Sequence, residues 1–468
     1  MITTTAKFVI GGAALFSILL TRYLPVTKNW WQFFKVNPFG AKLLIIYFIS
    51  LIYLVGQRTG TDLIDTSRYI RIVVIFLLIT LSLFGLATSG KKTKASYSNL
   101  IWYFIYVIVA LTTSIYSVNP LLTIWKAIEV LAGVLVALCI ARQLTSMKDG
   151  QALLNFVWLL HLFLVFSAFW GWLIFPGEAS SVFFAYEAQN VTGAFTSGIH
   201  GLFPFVNPNT LTQIAATLVM VLLSLYLTKL TKKEKLVLKL LLGLSVLVML
   251  LAHSRTSIIS LVACLIIYAL FTRSKAGKFI LTSVIAAVII GLPAVLTYFF
   301  RGQTEDQFMT MTGRVDLWSI VFDKFMESPA IGYGFYSASG ALFGIPGADN
   351  TYLTVLLGGG VLLTTIFCIP ILITALKIFN HRPTRLWKSI SPEYKLFWFQ
   401  VASLFVFLFL RSITGPSFDA HHICVLIYVV CLLNANLLST AVRAEKEKEK
   451  EKEKEKEKKE KNANTVGT

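Results

Sequence analysis

The sequence predicts an all-α membrane protein: a polytopic bundle of twelve or thirteen transmembrane helices with one large loop on the outer face. Three observations predict it. Of the 468 residues, 56% are hydrophobic and 14% charged, with a mean hydropathy of +0.73, which no soluble core could absorb. Apolar runs close to the length needed to cross a bilayer recur along the chain. Period-2 alternation is absent, so these runs read as helices and not as barrel strands. A soluble enzyme, a nucleic-acid-binding protein and a disordered regulator are thereby excluded. The formal charge of +19 has a topological explanation, since Lys and Arg accumulate in cytoplasmic connections.

Spans are expected near 8–24, 42–56, 70–88, 98–117, 121–141, 152–175, 209–228, 236–252, 256–272, 278–300, 351–379, 394–411 and 421–440. The first opens with Lys7 before the apolar Phe8 to Leu20, and Thr21, Arg22 and Tyr23 supply no small-residue cleavage site. It therefore reads as an uncleaved anchor or first span. Basic residues cluster in alternate connections, as in Lys91, Lys92 and Lys94, in Lys229 to Lys239, and in Lys377, Arg382, Arg385 and Lys388. These connections and the C-terminus face the cytoplasm. Residues 1–440 form the membrane domain. Residues 441–468, with near-alternating Glu and Lys, form a disordered cytoplasmic tail. Cys139, Cys264, Cys368, Cys424 and Cys431 sit inside apolar runs without metal-binding spacing and read as small core residues.

Two outward loops are long. The first, about 176–207, ends in the turn-rich GLFPFVNPN of Gly201 to Asn209. The second, 301–350, holds an amphipathic helix from Arg314 to Glu327, with Leu317, Trp318, Val321 and Phe325 on one face and Asp316, Ser319, Asp323 and Lys324 elsewhere. It lies on the membrane surface or on the bundle.

Charges near the outer rim are the candidates for chemistry, because a cation close to hydrocarbon is costly unless it meets water or an anion. Arg255, in His253-Ser254-Arg255-Thr256-Ser257, stands at a short outward turn, where a guanidinium beside a helix N-terminus suits a phosphate or diphosphate. Snorkelling to headgroups is the plainer explanation. Arg314 opens the amphipathic helix, with an ion pair to Asp316 as its plainer role. Asp349-Asn350-Thr351-Tyr352 stands at the mouth of the next span, ahead of Gly358-Gly359-Gly360, and Asp349 as a helix cap is the plainer reading there. By topology the two arginines and the carboxylate share one face. Glycosyl transfer from a lipid diphosphate needs such parts: a base for the acceptor hydroxyl and cations for the departing diphosphate. Trp318 and Tyr352 offer rings for sugars, and belt positions explain them as well. Lys126 and Glu129, three apart on one span, read as a structural ion pair.

The series GLFPFVNPN, HSRTS, GRVDLW…SPAIGYGF and DNTYLTVLLGGG, over residues 100 to 435, resembles the O-antigen ligase and Wzy-type polymerase superfamily. That resemblance implies a GT-C-like glycosyltransferase of the bacterial plasma membrane, acting without nucleotide sugar, cofactor or metal. Its donor is a glycan on undecaprenyl diphosphate at the extracytoplasmic face, and its acceptor a second glycan or a lipid-linked one. Pathway partners are a chain-length regulator or a flippase. Arg255 and Arg314 match the family arginines that hold diphosphate, and Asp349 stands where ligases carry histidine. Asn350, His253, Asn209, Tyr352 and Trp318 fall to substrate binding. The chain departs from the ligase pattern at Asp349-Asn350, where ligases have His-Asn, and at Leu363, where they prefer Gly, Thr or Tyr; loss of the histidine favours a polysaccharide polymerase over a ligase. His200, His253, Asp419 and His421 are the alternative bases. A secondary transporter or flippase is the rival class, and it predicts ionisable groups at mid-membrane.

Overall fold

The computed structural model describes residues 3–24, 31–52, 66–88, 90, 97–182, 197–272, 282, 286, 314–336, 348, 350–382, 391–415, 423–442 and 447. Among these, eight helices are long and apolar enough to cross a membrane, and four shorter helices are apolar. The chain is a polytopic all-α membrane protein. The helices are α1 (Thr4–Leu20), α2 (Trp31–Val36), α3 (Pro38–Ile52), α4 (Thr66–Thr88), α5 (Ser98–Thr112), α6 (Pro120–Ala141) and α7 (Met147–Ile174). Then come α8 (Pro208–Ser224), α9 (Lys232–Ala252), α10 (Arg255–Thr272), α11 (Arg314–Glu327), α12 (Thr351–Asn380), α13 (Pro392–Arg411) and α14 (Ile423–Val442). Each expected span except 278–300 coincides with one of these helices. That one, like most of the loop 301–350 and nearly all of the Glu/Lys tail, falls outside the described residues. Helix α2 was not foreseen, because its single turn and a half is too short for a hydropathy window.

The helix starts follow local chemistry. Ser146 with Asp149 and Thr231 with Glu234 form reciprocal capping boxes on α7 and α9, each satisfying two otherwise orphaned N–H groups. Asn119, Asn207, Asn350 and Ser391 cap α6, α8, α12 and α13. The turn-rich loop before α8 adds two small antiparallel ladders, Ser180–Val182 with Ser197–Ile199 and Gly201–Leu202 with Phe205–Val206, so the all-α expectation gains a minor β element.

Helix α14 is the axis of the bundle, with 89% of its span buried. Tyr428 meets Tyr103 of α5 edge-on at 5.3 Å, and Cys431 reaches the Val401 carbonyl of α13. Around it α8 packs on α7, α9, α10 and α13, α12 on α5, and α4 on α6. Helix α4 lies outermost, with 22% of its span buried, and presents apolar side chains such as Val73 and Phe76 to lipid.

Helices α8, α10, α11 and α12 all begin at one end of the bundle, the site end. There α11 lies on α12: Val321 and Phe325 are buried against Ala348 and Leu357, with Leu353 and Leu356 beside them. Its opposite face leaves Val315, Phe322 and Met326 exposed, so the helix rests on the bundle and keeps a second apolar stripe outward. The chain after α11 is docked by backbone pairing onto a break in α12. Gly334 N–H donates to the Gly358 carbonyl at 2.7 Å, and Val361 N–H to that of Pro329 at 2.8 Å. The break is at Gly360, whose φ of 61° lies in the left-handed region that glycine reaches without steric cost.

Candidate active site

The site is built from four helix ends joined in a chain by hydrogen bonds and contacts, with Arg255 and Arg314 at its two open ends. At the first, Pro208 opens α8 and Asn207 caps it, its side chain accepting from Thr210 N–H at 2.8 Å. One turn on, Thr212 Oγ1 accepts from the Ser254 N–H at 3.1 Å. The VNPN and HSRTS motifs, some fifty residues apart in the chain, therefore meet in space.

The second end is the α9–α10 turn. His253 takes a left-handed conformation, φ 64° and ψ 44°, and its N–H closes α9 on the Met249 carbonyl, the usual way a helix is stopped abruptly. The residue is buried, so its first duty is to terminate α9. Arg255 then heads α10 as its first residue, partly buried.

The third end belongs to α11. Arg314 heads it and acts electrostatically on Arg255, so two guanidinium groups from distant parts of the chain share one neighbourhood. Like charges held together in a partly desolvated place repel, and an anion between them relieves that repulsion. One turn along, Trp318 donates its indole N–H to the Ala348 carbonyl at 2.9 Å. Residues four apart lie on one helix face, so Arg314 projects on the side of α11 that Trp318 ties to the mouth of α12.

The fourth end is that mouth. Asp349 lies outside the described residues, between Ala348 and Asn350, which are inside them. Asn350 Oδ1 caps α12 by accepting from Leu353 N–H at 3.1 Å, which leaves its amide –NH2 as the group able to face a substrate. Tyr352 packs between Phe367 and Phe409 and donates its hydroxyl to the Phe409 carbonyl at 3.3 Å.

Arg411, the last residue of α13, supplies the link between the α8 and α12 ends, and no local motif announced it. With the Gln213 amide oriented so that its oxygen faces the guanidinium, it accepts from Arg411 Nε at 2.6 Å and Nη2 at 3.0 Å. The opposite amide atom sits 2.7 Å from Cys424 Sγ of α14. On its other side Arg411 lies against Gly415, where a Cβ would collide with the guanidinium. The Gly415 carbonyl in turn accepts from Thr351 Oγ1 at 3.0 Å. Arg411 thus joins the start of α8 to the start of α12, and it is buried, with 4% exposure. Its height agrees with this. Cys264 of α10 meets the Ser403 carbonyl of α13 at 3.5 Å. Counting from that contact at the helical rise, Arg255 and Arg411 stand about 13 and about 12 Å toward the site end.

Of the expected site residues, Arg255, Arg314, Trp318, Asn350 and the segment flanking Asp349 are brought together. His253 sits beside Arg255 in the chain but inside the turn. Asn209 is exposed on the first turn of α8. His200 packs at 5.3 Å from Phe205 in the preceding hairpin loop, where burial lowers its pKa below the ordinary imidazole value. Asp419, His421 and His422 lie outside the described residues.

No curated protein matches the chain. Residues 240–368 match the family model described as O-antigen ligase, a stretch running from within α9 to within α12. It includes Arg255, Arg314, Trp318 and the Asp349–Tyr352 segment, and it leaves Gln213 and Arg411 outside. That match, falling on three of the four helix ends just described, supports placing the chain in the O-antigen ligase and Wzy-type polymerase superfamily.

Proposed function

We propose that the protein joins glycans from an undecaprenyl-diphosphate donor to a glycan or lipid-linked acceptor on the extracytoplasmic face, as a polysaccharide polymerase and not as an O-antigen ligase. The carrying observation is that Trp318 ties α11 to the mouth of α12, which places Arg314 at the head of α11 within electrostatic reach of Arg255 at the head of α10. In this reading the acceptor hydroxyl attacks the anomeric carbon as Asp349 takes its proton. The bond from that carbon to the diphosphate oxygen breaks, and the lipid diphosphate leaves with the bonding pair. The anomeric configuration inverts. Arg255 and Arg314 hold the charge that grows on the leaving group, Asn350 orients a substrate through its amide, and no metal or cofactor is used. Asp349 in place of the ligase histidine favours the polymerase assignment.

The test is polymer length on gels from cells lacking the gene and carrying variants. Arg255→Ala, Arg314→Ala and the corresponding Lys variants, which lack the bidentate fork, are expected to cut polymer formation by about 100-fold or more, with the protein still inserted. Normal polymer from both arginine variants would remove the diphosphate assignment. Purified protein with synthetic lipid-linked oligosaccharide, and Asp349→Asn as control, tests the base separately.

A further inference from the structure

A second group of charges lies on the far side of α5 from α14, where α4 meets α6. Arg71 Nη2 of α4 lies 2.5 Å from Glu129 Oε1, and Lys126 Nζ lies 2.9 Å from Glu129 Oε2. The ion pair expected within α6 therefore exists, but a second cation shares its carboxylate. Lys126 also sits over the Tyr336 ring, 5.5 Å from its centroid, and Tyr336 follows the chain segment docked on α12. Thr123 of α6 donates to the Phe335 carbonyl at 2.9 Å, which puts the cluster at the site end.

Three features separate this cluster from a neutral ion pair. Among the described residues it holds two cations and one anion. The carboxylate is closed off at 0% side-chain exposure, whereas Arg71 and Lys126 keep 14% and 24%. Glu129 Oε2 accepts from Lys126 Nζ, while Glu129 Oε1 and Arg71 Nε, though beside one another, are both buried without a hydrogen-bond partner. Of the three side chains, only the two cations reach the surface.

That surface is lipid. Tyr69, Ile70 and Val73 on α4, Ile115 in the turn after α5, and Leu121 at the start of α6 are exposed around it. At the helical rise Arg71 lies about 8 Å and Lys126 about 9 Å inside the starts of α4 and α6, just below headgroup level. An unbalanced cation at that depth is expensive, and the anion available there is the phosphate of a lipid in the same leaflet.

We propose that Arg71 and Lys126 form a lipid-phosphate binding site on the α4–α6 face, with Glu129 offsetting one of their two charges. A membrane phospholipid and a polyprenyl phosphate offer the same chemistry. The site stands apart from the arginine pair at α10 and α11 and does not depend on the reaction proposed there.

Native mass spectrometry of the full-length protein, carrying Arg255→Gln and Arg314→Gln so that the other arginine pair contributes nothing, tests it. The probes are phosphatidylglycerol, a polyprenyl phosphate, and diacylglycerol as a phosphate-free control. Expected is retention of a phosphate lipid over diacylglycerol, weakened at least tenfold by Arg71→Gln or Lys126→Gln and strengthened by Glu129→Gln. The Lys126→Gln variant leaves the Arg71–Glu129 pair intact and carries the test without loss of fold. Whichever phosphate lipid displaces the other is the occupant, and either result supports the site. Equal retention of diacylglycerol, unchanged binding in both cation variants, or loss of binding in Glu129→Gln would overturn it.

Discussion

At the scale of single residues, the informative side chains are those whose partners lie far away in sequence. Arg411 reads in the sequence as a basic residue at the end of an apolar helix, the position from which arginines ordinarily snorkel to headgroups. Its contact with Gln213 and its place against Gly415 make it a positioning residue for the starts of α8 and α12. Arg411→Lys keeps the charge but cannot span both the amide of Gln213 and the Gly415 side. We expect it to lower kcat by about tenfold, the scale of one lost charge-assisted hydrogen bond, with donor KM little changed. Gly415→Ala, which adds a methyl group against the same guanidinium, is expected to reproduce that split. A kcat/KM series on lipid-linked oligosaccharide checks both, and a rise in KM alone would make Arg411 a substrate contact instead. Arg255 and Arg314 were legible because each stands in a charged motif at a helix start. Arg411 and Arg71 were not, since pairing with Gln213 or Glu129 is a tertiary fact that no window of sequence contains.

At the scale of elements, hydropathy located the helices because each must bury or expose a run of apolar side chains as one piece. It said less about where they bend. The glycines at 358–360 stand in the sequence inside an apolar run, whereas in the structure they mark a break where Gly334 N–H donates to Gly358 and the next two N–H groups, of Val361 and Leu362, donate to Pro329 and Ala330. Gly360 has both a left-handed φ and the Ala330 carbonyl where a side chain would be. Gly360→Ala is therefore expected to cost about 1–2 kcal/mol in backbone strain alone, and more from the collision. The outcome to measure is a lower melting temperature in detergent, with new proteolytic cleavage between Ser328 and Tyr336. Gly243 is the control: it lies inside α9 with nothing near its Cβ position. Gly243→Ala is expected to leave stability unchanged or raise it by about 0.5–1 kcal/mol. Equal destabilisation by the two substitutions would mean that the break at 360 has no special role in docking the α11 segment.

At the scale of the whole molecule, the two ends of the bundle are held differently. The site end is joined by single contacts between helix starts, and it places partly exposed cations there. The opposite end is locked by a polar network: Asn99 donates to Thr374 Oγ1 at 3.0 Å and to the Leu432 carbonyl at 3.1 Å, and Asn436 donates to Asn99 Oδ1 at 2.7 Å. Lys377 adds a bond to Ser98 at 3.0 Å and one to Asn436. This network pins α5, α12 and α14 together, and Lys377 stands about 24 Å along α12 beyond the break at Gly360. Such a division separates stability from turnover. Asn436→Ala removes the bonds that Asn99 Oδ1 and Lys377 make with it, at a cost of about 1–3 kcal/mol. It is expected to lower the melting temperature by a few degrees while donor KM and kcat at a permissive temperature stay within about twofold, because its partners Asn99 and Lys377 lie at the end of the bundle away from the site. Arg411→Lys should do the reverse, reducing kcat with little effect on melting. If Asn436→Ala instead slowed turnover as strongly as Arg411→Lys, α12 would be transmitting strain from one end to the other, and the two ends would have to be treated as one coupled element.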